Sequence, residues 1–358
     1  MKKILCIIDS LGAGGAQRQM VGLASYLKEF GYDVSLVFYH PETFYEESLQ
    51  KASVSYVYFD KATNRVGRIF QIYKFIRKVS PDVVISYLDT PSICSCLARI
   101  FNRSFKLIVS ERNTSQANNI KEKLKFTLFR LAYSIVPNSH SQSEFIIRNY
   151  PSLSNKVVTI PNFVDLNIFT PPASKVRREI PLIMVAATIW PSKNTLGFID
   201  AVDALRKRGY KFCVEWYGKD MSNIEYYNTC YDKINELKLR DYITLKEKET
   251  KINLCYQKAD YFCLPSFYEG CPNVICEAMA SGLPIACSDV CDNSKYVQAG
   301  NNGFLFNPSS TETIVGALEQ LLLLSDQKYN EYSMNSRDFA ERLFSKETFV
   351  QSYIKLIE

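Results

Sequence analysis

Two glutamates frame a loop whose composition is typical of a ligand site. Glu269 lies in a Gly/Pro-rich segment directly after a predicted strand, and Glu277 lies on the first turns of the helix that this segment opens, with seven residues between them. Backbone N–H groups at a helix N-terminus attract negative charge, and carboxylates accept hydrogen bonds from hydroxyl groups. The pair therefore indicates a binding site for a diphosphate or a sugar. The alternative is that Glu269 is an ordinary acid in a loop and that Glu277 only complements the helix dipole.

A glycine loop near the start of the chain is a second candidate for anion binding. Gly14 and Gly15 lie between the first predicted strand and the first predicted helix, where backbone N–H groups can admit a phosphate or an acceptor. A tight turn that binds no ligand is the alternative. Asp89 follows another predicted strand of the same half and is a candidate acceptor-side residue.

The elements that must position these residues alternate between β-branched runs and amphipathic stretches. Strands are predicted at 3–9, 33–38, 83–86, 106–109, 182–187, 211–217 and 260–264, and helices at 16–30, 65–78, 195–208, 226–237, 273–280 and about 346–357. This alternation predicts an α/β fold of two Rossmann-like, doubly wound parallel sheets, with a cleft between them that faces the carboxyl ends of the strands.

Prolines at 161, 171, 172 and 181 interrupt the alternation and mark a domain boundary. We expect an N-terminal domain over 1–165, a C-terminal domain over 166–340, and a last helix within 341–358 that packs back on the N-terminal domain.

Composition excludes several classes of protein. The 358 residues contain no apolar run long enough to span a membrane, and the segment before Gly12 is too short for a signal peptide. Eleven cysteines are scattered without paired spacing, which favours a reduced cytoplasm over a disulfide framework. Residues 1–170 carry 21 basic and 13 acidic residues, a net charge of +8, whereas 171–358 carry −2. The first half is therefore expected to meet an anionic partner.

The string from Ser266 to Ala286 carries the strongest resemblance. Its Ser-x-x-Glu-Gly-x-Pro-x-x-x-x-Glu-Ala-Met-Ala-x-Gly-x-Pro pattern resembles the Glu-seven-Glu signature of the retaining GT-B glycosyltransferases of family 4, also called glycosyltransferase group 1. Further segments of the family follow in the expected order, at 14–18, 161–165, 193–194 and 302–306. The resemblance covers nearly the whole chain and is typical of enzymes that build bacterial surface polysaccharides.

The resemblance implies a role for each residue of the second half. Glu277 would bind the ribose hydroxyls of the nucleotide, and Glu269 would contact the donor sugar. Lys193 would neutralise the diphosphate, whose charge grows as the glycosidic bond breaks. The loop amides would contact sugar hydroxyls and phosphate, which adds Gly270, Cys271, Pro272 and Asn273 to the donor site.

The sequence departs from the family at a phosphate-binding position. Relatives commonly have an arginine five residues before the lysine, and Thr188 stands there. Either Lys193 and the loop amides suffice for the diphosphate, or another cation substitutes, for which Arg18 and Arg112 are the candidates.

A second departure concerns a first-domain histidine that many relatives place after a strand. Glu111 and Arg112 occupy that place, and we expect both to face the cleft, with Glu111 touching the donor sugar or the acceptor. A capping acid and a surface arginine are the alternative. His140 is expected to be structural.

The resemblance implies chemistry without a metal or another cofactor. The chain has no Asp-x-Asp and no cluster with metal-ligand spacing. An acceptor hydroxyl would attack on the face from which the diphosphate departs, a phosphate oxygen would take the proton, and no enzymic nucleophile is expected.

Two basic amphipathic segments, 65–78 and 121–133, mix cations with apolar residues at helical spacing. Such helices can lie on an anionic bilayer, although most of them simply cover a core. With the +8 charge of this half, they favour a cytoplasmic enzyme that sits peripherally on the inner face of the cell membrane.

The expected function is transfer of a hexose or N-acetylhexosamine from a nucleotide diphosphate sugar, with UDP favoured, to a lipid-linked saccharide acceptor of O-antigen, capsule or related assembly. A catalytically weak nucleotide-sugar-binding partner and a GT-B epimerase are the alternatives. Nucleic acid is not an expected partner, because no recognised binding module is present.

Overall fold

The computed structural model describes residues 1–60, 64–112, 117, 119–175, 177–219 and 221–358. The chain divides into two compact units. Unit 1 consists of Met1–Asn162 together with Lys346–Glu358, and unit 2 consists of Phe163–Ser345. The chain therefore leaves unit 1 once, builds unit 2, and returns for its last helix.

Unit 1 is built on a parallel sheet, which has six strands within the described residues. Their order is β3-β2-β1-β4-β5-β6, so the first strand lies in the middle, between β2 and β4. The inner strands are apolar and buried along most of their length, as expected for parallel strands covered on both faces. The bounds are β1 (Lys3–Ile7), β2 (Asp33–Phe38), β3 (Ser55–Tyr58), β4 (Val83–Tyr87), β5 (Lys106–Glu111) and β6 (Ser134–Pro137).

Three helices of unit 1 begin after a residue whose side chain satisfies one of their first N–H groups. Asn64, Asn119 and Ser139 each accept a hydrogen bond from a backbone N–H in the first turn of the helix that follows. The bounds are α1 (Gly15–Glu29), α2 (Glu46–Lys51), α3 (Arg65–Val79), α4 (Asp89–Phe101), α5 (Ile120–Phe129) and α6 (His140–Asn149).

Unit 2 repeats the strand order of unit 1. Its sheet has six parallel strands among the residues that the structure describes, in the order β12-β11-β10-β7-β8-β9. Trp216 is completely buried on β8, packs against Phe198, and donates its indole N–H to the carbonyl of Ala187 at 2.7 Å. The bounds are β7 (Leu182–Ala186), β8 (Cys213–Lys219), β9 (Ile243–Glu247), β10 (Tyr261–Leu264), β11 (Ile285–Ser288) and β12 (Gly303–Phe306).

The helices of unit 2 cover both faces of this sheet, and a last helix belongs to unit 1. The bounds are α7 (Thr195–Lys207), α8 (Ile224–Glu236), α9 (Ile252–Lys258), α10 (Asn273–Ala280), α11 (Asn293–Tyr296), α12 (Thr311–Leu322), α13 (Asp326–Phe344) and α14 (Lys346–Ile357). Phe349, Val350 and Tyr353 of α14 are buried, and Lys106 donates to the carbonyls of Leu356 and Ile357 at its C-terminus. A cation at that end also complements the helix dipole.

The predicted fold class is confirmed, and the predicted elements are present with shifts of one or two residues at most ends. The prediction left out five strands, β3, β6, β9, β11 and β12, and seven helices, α2, α4, α6, α9, α11, α12 and α13. Four of these strands have only four residues, and β3 and β9 are edge strands with exposed side chains, so neither length nor burial gives a clear pattern.

Both sheets reverse their winding direction next to the first strand of the unit. The reversal lies between β1 and β4 in unit 1 and between β7 and β10 in unit 2. Connections run to opposite faces on either side of such a point, and the loops at the carboxyl ends of the two strands leave a crevice.

Gly218 shapes the chain next to the second of these crevices. It has φ +142°, and a Cβ there would lie 2.1 Å from the carbonyl oxygen of Ala187. The carbonyl of Gly218 accepts a hydrogen bond from the N–H of Ile189 at 3.1 Å, so the backbone around Thr188 packs directly against this glycine.

We expect Gly218→Ala to lower the free energy of unfolding of unit 2 by about 2 kcal/mol, because the backbone must both adopt an unfavourable φ and move away. This corresponds to a fall of about 4–8 °C in Tm for a unit of this size, measured by calorimetry. Gly316→Ala on α12 is the control, because its added Cβ would have no heavy atom of the described residues within 4 Å. Equal Tm values for the two variants would contradict the assignment.

Candidate functional site

Two loops of unit 2 meet at the crevice between β7 and β10. The first runs from the end of β7 through Thr188 to a short 3-10 helix, Pro191–Lys193, and the second runs from the end of β10 to the start of α10. The N–H of Phe267 on the second loop donates to the carbonyl of Ser192 on the first, at 2.9 Å. This bond fixes the two loops against each other.

An ion pair joins the same two loops through side chains. The Nζ of Lys193 lies 2.6 Å from Oε1 of Glu269, and the two side chains are 25% and 11% exposed. Charge-assisted hydrogen bonds of this length are strong and directional. Two residues that the sequence assigned to the donor site are therefore in direct contact at the crevice.

The carboxylate of Glu277 is oriented by Tyr256, which the sequence did not indicate as part of the site. Glu277 is 4% exposed on α10, and its Oε2 accepts a hydrogen bond from the hydroxyl of Tyr256 at 2.9 Å. Tyr256 is fully buried on α9. A tyrosine in a helix reads as an ordinary core residue, and only its contact with an acid 21 residues later shows that it orients a carboxylate.

The loop residues between the two glutamates form the N-terminus of α10. Pro272 is the residue before the helix, and Asn273 is its first residue. Cys271 is buried, whereas Gly270 and Thr188 are half-buried. These residues and Lys193 lie around the carboxyl ends of β7 and β10, as predicted; their roles toward a donor stay predictions.

The glycine loop of unit 1 lies at the corresponding crevice. Gly14 precedes α1 and donates its N–H to the carbonyl of Gly12 at 2.8 Å, and Gly15 is the first residue of the helix. Arg18 follows within the first turn and is half-buried. Asp89 begins α4, and its side chain is 41% exposed.

A buried lysine gathers three carboxylates beside this second crevice. The Nζ of Lys125, whose side chain is 3% exposed, lies 2.7 Å from Glu122, 2.8 Å from Glu111 and 3.4 Å from Asp89. Glu111 itself is completely buried at the end of β5. The glutamate that was expected to touch the sugar or the acceptor thus lies against Lys125.

Burial and the charges of this cluster shift the pKa values of Glu111 and Lys125. Burial raises the pKa of Glu111 to about 7, against the opposing charge of Lys125 and with a contribution from Asp89. Burial by itself would lower the pKa of Lys125, but the charges and hydrogen bonds of Glu111, Glu122 and Asp89 outweigh it, so that pKa is raised. Lys125 therefore stays protonated, while Glu111 titrates near neutral pH.

Arg112 connects four parts of unit 1. Its guanidinium stacks 4.1 Å from the ring of Tyr87 and donates to the hydroxyls of Tyr87 and Tyr353 at 2.5 and 2.9 Å and to Asn162 at 2.7 Å. Tyr87 ends β4, Tyr353 lies on α14, and Asn162 is the last residue before unit 2. These contacts give Arg112 a structural role, and the predicted contact with the donor stays a prediction. His140 is exposed at the start of α6.

Two sheets with the same strand order, an ion pair at one reversal point and a glycine loop at the other place both units in the doubly wound α/β class, in which ligands bind at such reversal points. The family model for Glycosyltransferase Family 4 matches residues 13–168, and the model for Glycosyl transferases group 1 matches 180–323.

Similar proteins are also described as glycosyltransferases. A curated relative from Campylobacter jejuni, GalNAc-alpha-(1->4)-GalNAc-alpha-(1->3)-diNAcBac-PP-undecaprenol alpha-1,4-N-acetyl-D-galactosaminyltransferase, is 27% identical over 100% of this chain and 98% of its own length. The amylovoran biosynthesis glycosyltransferase AmsD of Erwinia amylovora is 23% identical over 97% of this chain and 98% of its own. The structure of Anabaena HepE with UDP and glucose superposes with a TM-score of 0.85 at 16% identity, covering 99% of both chains.

The chain belongs to the group 1, family 4 glycosyltransferases and has their GT-B fold. It is therefore a glycosyltransferase.

The buried carboxylate cluster gives a pH-dependent prediction. The folded-state pKa of Glu111 is raised from the ordinary 4.5 to about 7, so its contribution to stability is complete below about 4.5 and is lost as the pH rises through 7. Glu111→Gln, which resembles the protonated acid, should therefore gain Tm relative to the wild type between pH 5 and pH 8, by at least about 2–4 °C.

Thermal unfolding measured across this pH range tests the prediction. Glu144→Gln, a change at an exposed glutamate on α6, controls for the substitution itself. A Tm difference between Glu111→Gln and the wild type that is the same at pH 5 and pH 8 would show that Glu111 does not titrate there.

Proposed function

We propose that this enzyme transfers a hexose or N-acetylhexosamine from a UDP-sugar to a lipid-linked saccharide in the assembly of a surface polysaccharide or oligosaccharide, with retention of anomeric configuration. The observation that carries the proposal is the contact between Lys193 and Glu269 at the crevice of unit 2, with Glu277 held by Tyr256 on the adjoining helix.

The donor site follows from the charges of these residues. Lys193 is the cation suited to a diphosphate, and the N-terminus of α10 adds the partial positive charge of its N–H groups. Glu277, fixed by Tyr256, is suited to accept two neighbouring hydroxyls such as those of a ribose. The HepE structure holds UDP and glucose, which supports a uridine nucleotide as the donor's leaving group.

The reaction requires an acceptor hydroxyl, an anomeric carbon and a leaving diphosphate. The acceptor oxygen forms the new bond to the anomeric carbon on the face from which the diphosphate leaves, the electron pair of the broken bond goes to the diphosphate, and a phosphate oxygen takes the hydroxyl proton. Lys193 stabilises the charge that grows on the leaving group, while Glu269 holds sugar hydroxyls. A metal is not required in this proposal, and unchanged activity in EDTA is the expected result.

The acceptor class is supported by the relatives and by one surface of unit 1. The Campylobacter jejuni relative is named for an undecaprenol-linked acceptor, and the Erwinia amylovora relative for amylovoran biosynthesis. Among the described residues, no helix has the length and apolarity needed to cross a membrane. A lipid-linked acceptor is anchored in a bilayer, so in this proposal the enzyme reaches it at a membrane surface.

An apolar patch with basic neighbours on α3 and α4 suits that contact. Val66, Phe70 and Phe101 are 60%, 58% and 73% exposed, and the ring of Tyr73 lies 6.0 Å from that of Phe101. Arg77 lies over the ring of Tyr73. Exposed aromatic rings among cations are typical of surfaces that insert into an anionic bilayer.

A nucleotide-sugar-binding partner without activity of its own is the second candidate, favoured by Thr188 in place of the usual arginine. Release of UDP or GDP from UDP- and GDP-sugars, with a bacterial lipid extract as acceptor, separates the candidates. We expect turnover with a UDP-sugar that depends on the lipid extract, and an α-linked product by NMR from an α-linked donor.

Glu277→Ala should lower kcat/KM for the donor at least about 100-fold, because two hydroxyl contacts to a charged group are lost. Glu225→Ala, at an exposed glutamate on α8, is the matched control and should leave kcat/KM unchanged. Donor binding without any turnover would favour the inactive partner, turnover without an acceptor would favour an epimerase, and full activity of Glu277→Ala would remove Glu277 from the site.

The membrane contact is tested by vesicle sedimentation. Replacing Phe70 and Phe101 by serine should weaken binding to vesicles that contain anionic phospholipid more than about tenfold. The reason is that the variant lacks the two aromatic side chains that would move from water into the bilayer. Met334→Ser changes an apolar residue of similar exposure on α13 and should not alter binding. Equal binding of both variants would exclude this patch.

A further inference from the structure

A second pocket lies in unit 2 beside the proposed donor site. It opens at the carboxyl ends of β10, β11 and β12 and has a volume of about 600 Å³. This volume lies within the range of about 300–1,000 Å³ that is typical of small-molecule sites. The pocket is lined in part by Phe267, Asp289, Asn307, Ser309 and Thr313. None of their side chains has a role in the donor site described above, where only the backbone N–H of Phe267 takes part.

Two walls of the pocket are hydrogen-bonded to the turn that carries Lys193. The N–H of Phe267 donates to the carbonyl of Ser192 at 2.9 Å. On the other wall, the amide of Asn194 donates to the carbonyl of Pro308 at 2.7 Å. Asn194 is 5% exposed, so its burial and this hydrogen bond fix its side chain. The pocket therefore keeps a fixed position relative to Lys193 and Glu269.

The lining combines an aromatic face with hydrogen-bonding groups that suit hydroxyls. Phe267 is 42% exposed, and Asp289 presents an exposed carboxylate. The side-chain oxygen of Asn307 accepts from the N–H of Ser309 at 3.0 Å, which leaves its NH₂ group oriented as a donor. A pyranose offers C–H groups on its faces and hydroxyls around its edge, and therefore matches both kinds of group.

The charge of the pocket favours a neutral saccharide over a phosphorylated ligand. The carboxylate of Asp289 repels phosphate and accepts hydrogen bonds from sugar hydroxyls. The phosphate-binding groups named above, Lys193 and the N-terminus of α10, belong to the crevice between β7 and β10. Since Phe267 is only two residues from Glu269, a sugar in this pocket would lie beside the donor sugar.

We propose that this pocket binds a pyranose of the acceptor saccharide; the proposal rests on the transferase function proposed above. Phe267 stacks on one face of the ring, Asp289 accepts from its hydroxyls, and Asn307 donates to a ring substituent. The pocket thereby selects acceptors by their terminal sugars, independently of the lipid.

Binding of simple glycosides tests the pocket without knowledge of the natural acceptor. The methyl α-glycosides of glucose, galactose and N-acetylgalactosamine are titrated into the full chain saturated with UDP, and binding is followed by saturation-transfer NMR. At least one glycoside is expected to bind. Phe267→Ala and Asp289→Asn are expected to raise its Kd at least about tenfold while the Kd of UDP stays within twofold.

Conservative and distant variants complete the design. Phe267→Tyr keeps the aromatic face and should restore binding. Tyr231→Ala and Asp241→Asn, which change an equally exposed ring on α8 and a carboxylate before β9, should leave glycoside binding unchanged.

Each outcome separates this inference from the proposed function. If none of the three glycosides binds, or if Phe267→Ala and Asp289→Asn bind as the wild type does, the pocket assignment is overturned. If the glycoside is displaced by UDP-glucose but not by UDP, it occupies the donor-sugar position, and the assignment is also overturned. If glycosides bind in the pocket while no sugar is transferred to any lipid extract, the saccharide site stands and the lipid-linked acceptor of the proposed function fails.

Discussion

The carboxyl ends of parallel strands all lie at one edge of a sheet, and the candidate chemistry of this protein depends on that constraint. In each unit the first strand lies in the interior, between the second strand and the fourth, so two loops far apart in sequence meet beside it. In unit 2 this brings Lys193 to Glu269 across 76 positions of chain. In unit 1 it brings the glycine loop near the end of β4, where Asp89 begins the next helix. Hydrogen bonds between the loops then fix what the sheet has brought together.

Unit 1 depends on a second constraint, because its last helix returns to it after the whole of unit 2. Buried polar groups hold the returning helix α14 in a specific position on unit 1. Arg112 binds Asn162 where the chain leaves the unit and Tyr353 where it comes back, while Lys106 caps the end of α14. A guanidinium with three neutral partners, one of them also stacked on it, costs less to bury than an unpaired cation, and its planar, directional donors favour this arrangement of the four segments.

The sequence predicted the parts of this structure that depend on local pattern. The central strands, helices such as α1, α7 and α10, the class of fold, and the loop from Glu269 to Glu277 all follow from residues within about twenty positions of one another. The four-residue strands do not, because they acquire their strand conformation from neighbours already in the sheet. The long helices α4, α12 and α13 were not predicted. Tyr256 and Lys125 were also missed as parts of a site. Each looks like an ordinary helix residue, and only tertiary packing shows that one orients Glu277 and the other neutralises Glu111.

The placement of Glu111 shows why a residue type and its position after a strand do not establish a role. A carboxylate at the end of β5 was expected to reach a sugar, but its side chain lies beneath the surface against Lys125. An unpaired ammonium there would be costly, so Lys125 requires the carboxylates that surround it. Asp89 contacts the same ammonium from a more exposed position. A ligand that approaches this crevice would therefore meet Asp89 first, and would sense Glu111 only through the charge of Lys125.

The pair of Lys193 and Glu269 carries a related consequence for the donor site. With Thr188 at the position of the usual arginine, the proposed function asks one ammonium to serve both the diphosphate and the glutamate that would hold the sugar. The glutamate keeps Lys193 oriented at the crevice, so little reorganisation would be needed for a phosphate to bind there. In the proposed reaction, the lysine would be drawn toward the leaving group as its charge grows, and the glutamate would become a better acceptor for the sugar hydroxyls. The same contact would then couple the two halves of the donor, which a separate arginine and lysine would contact independently.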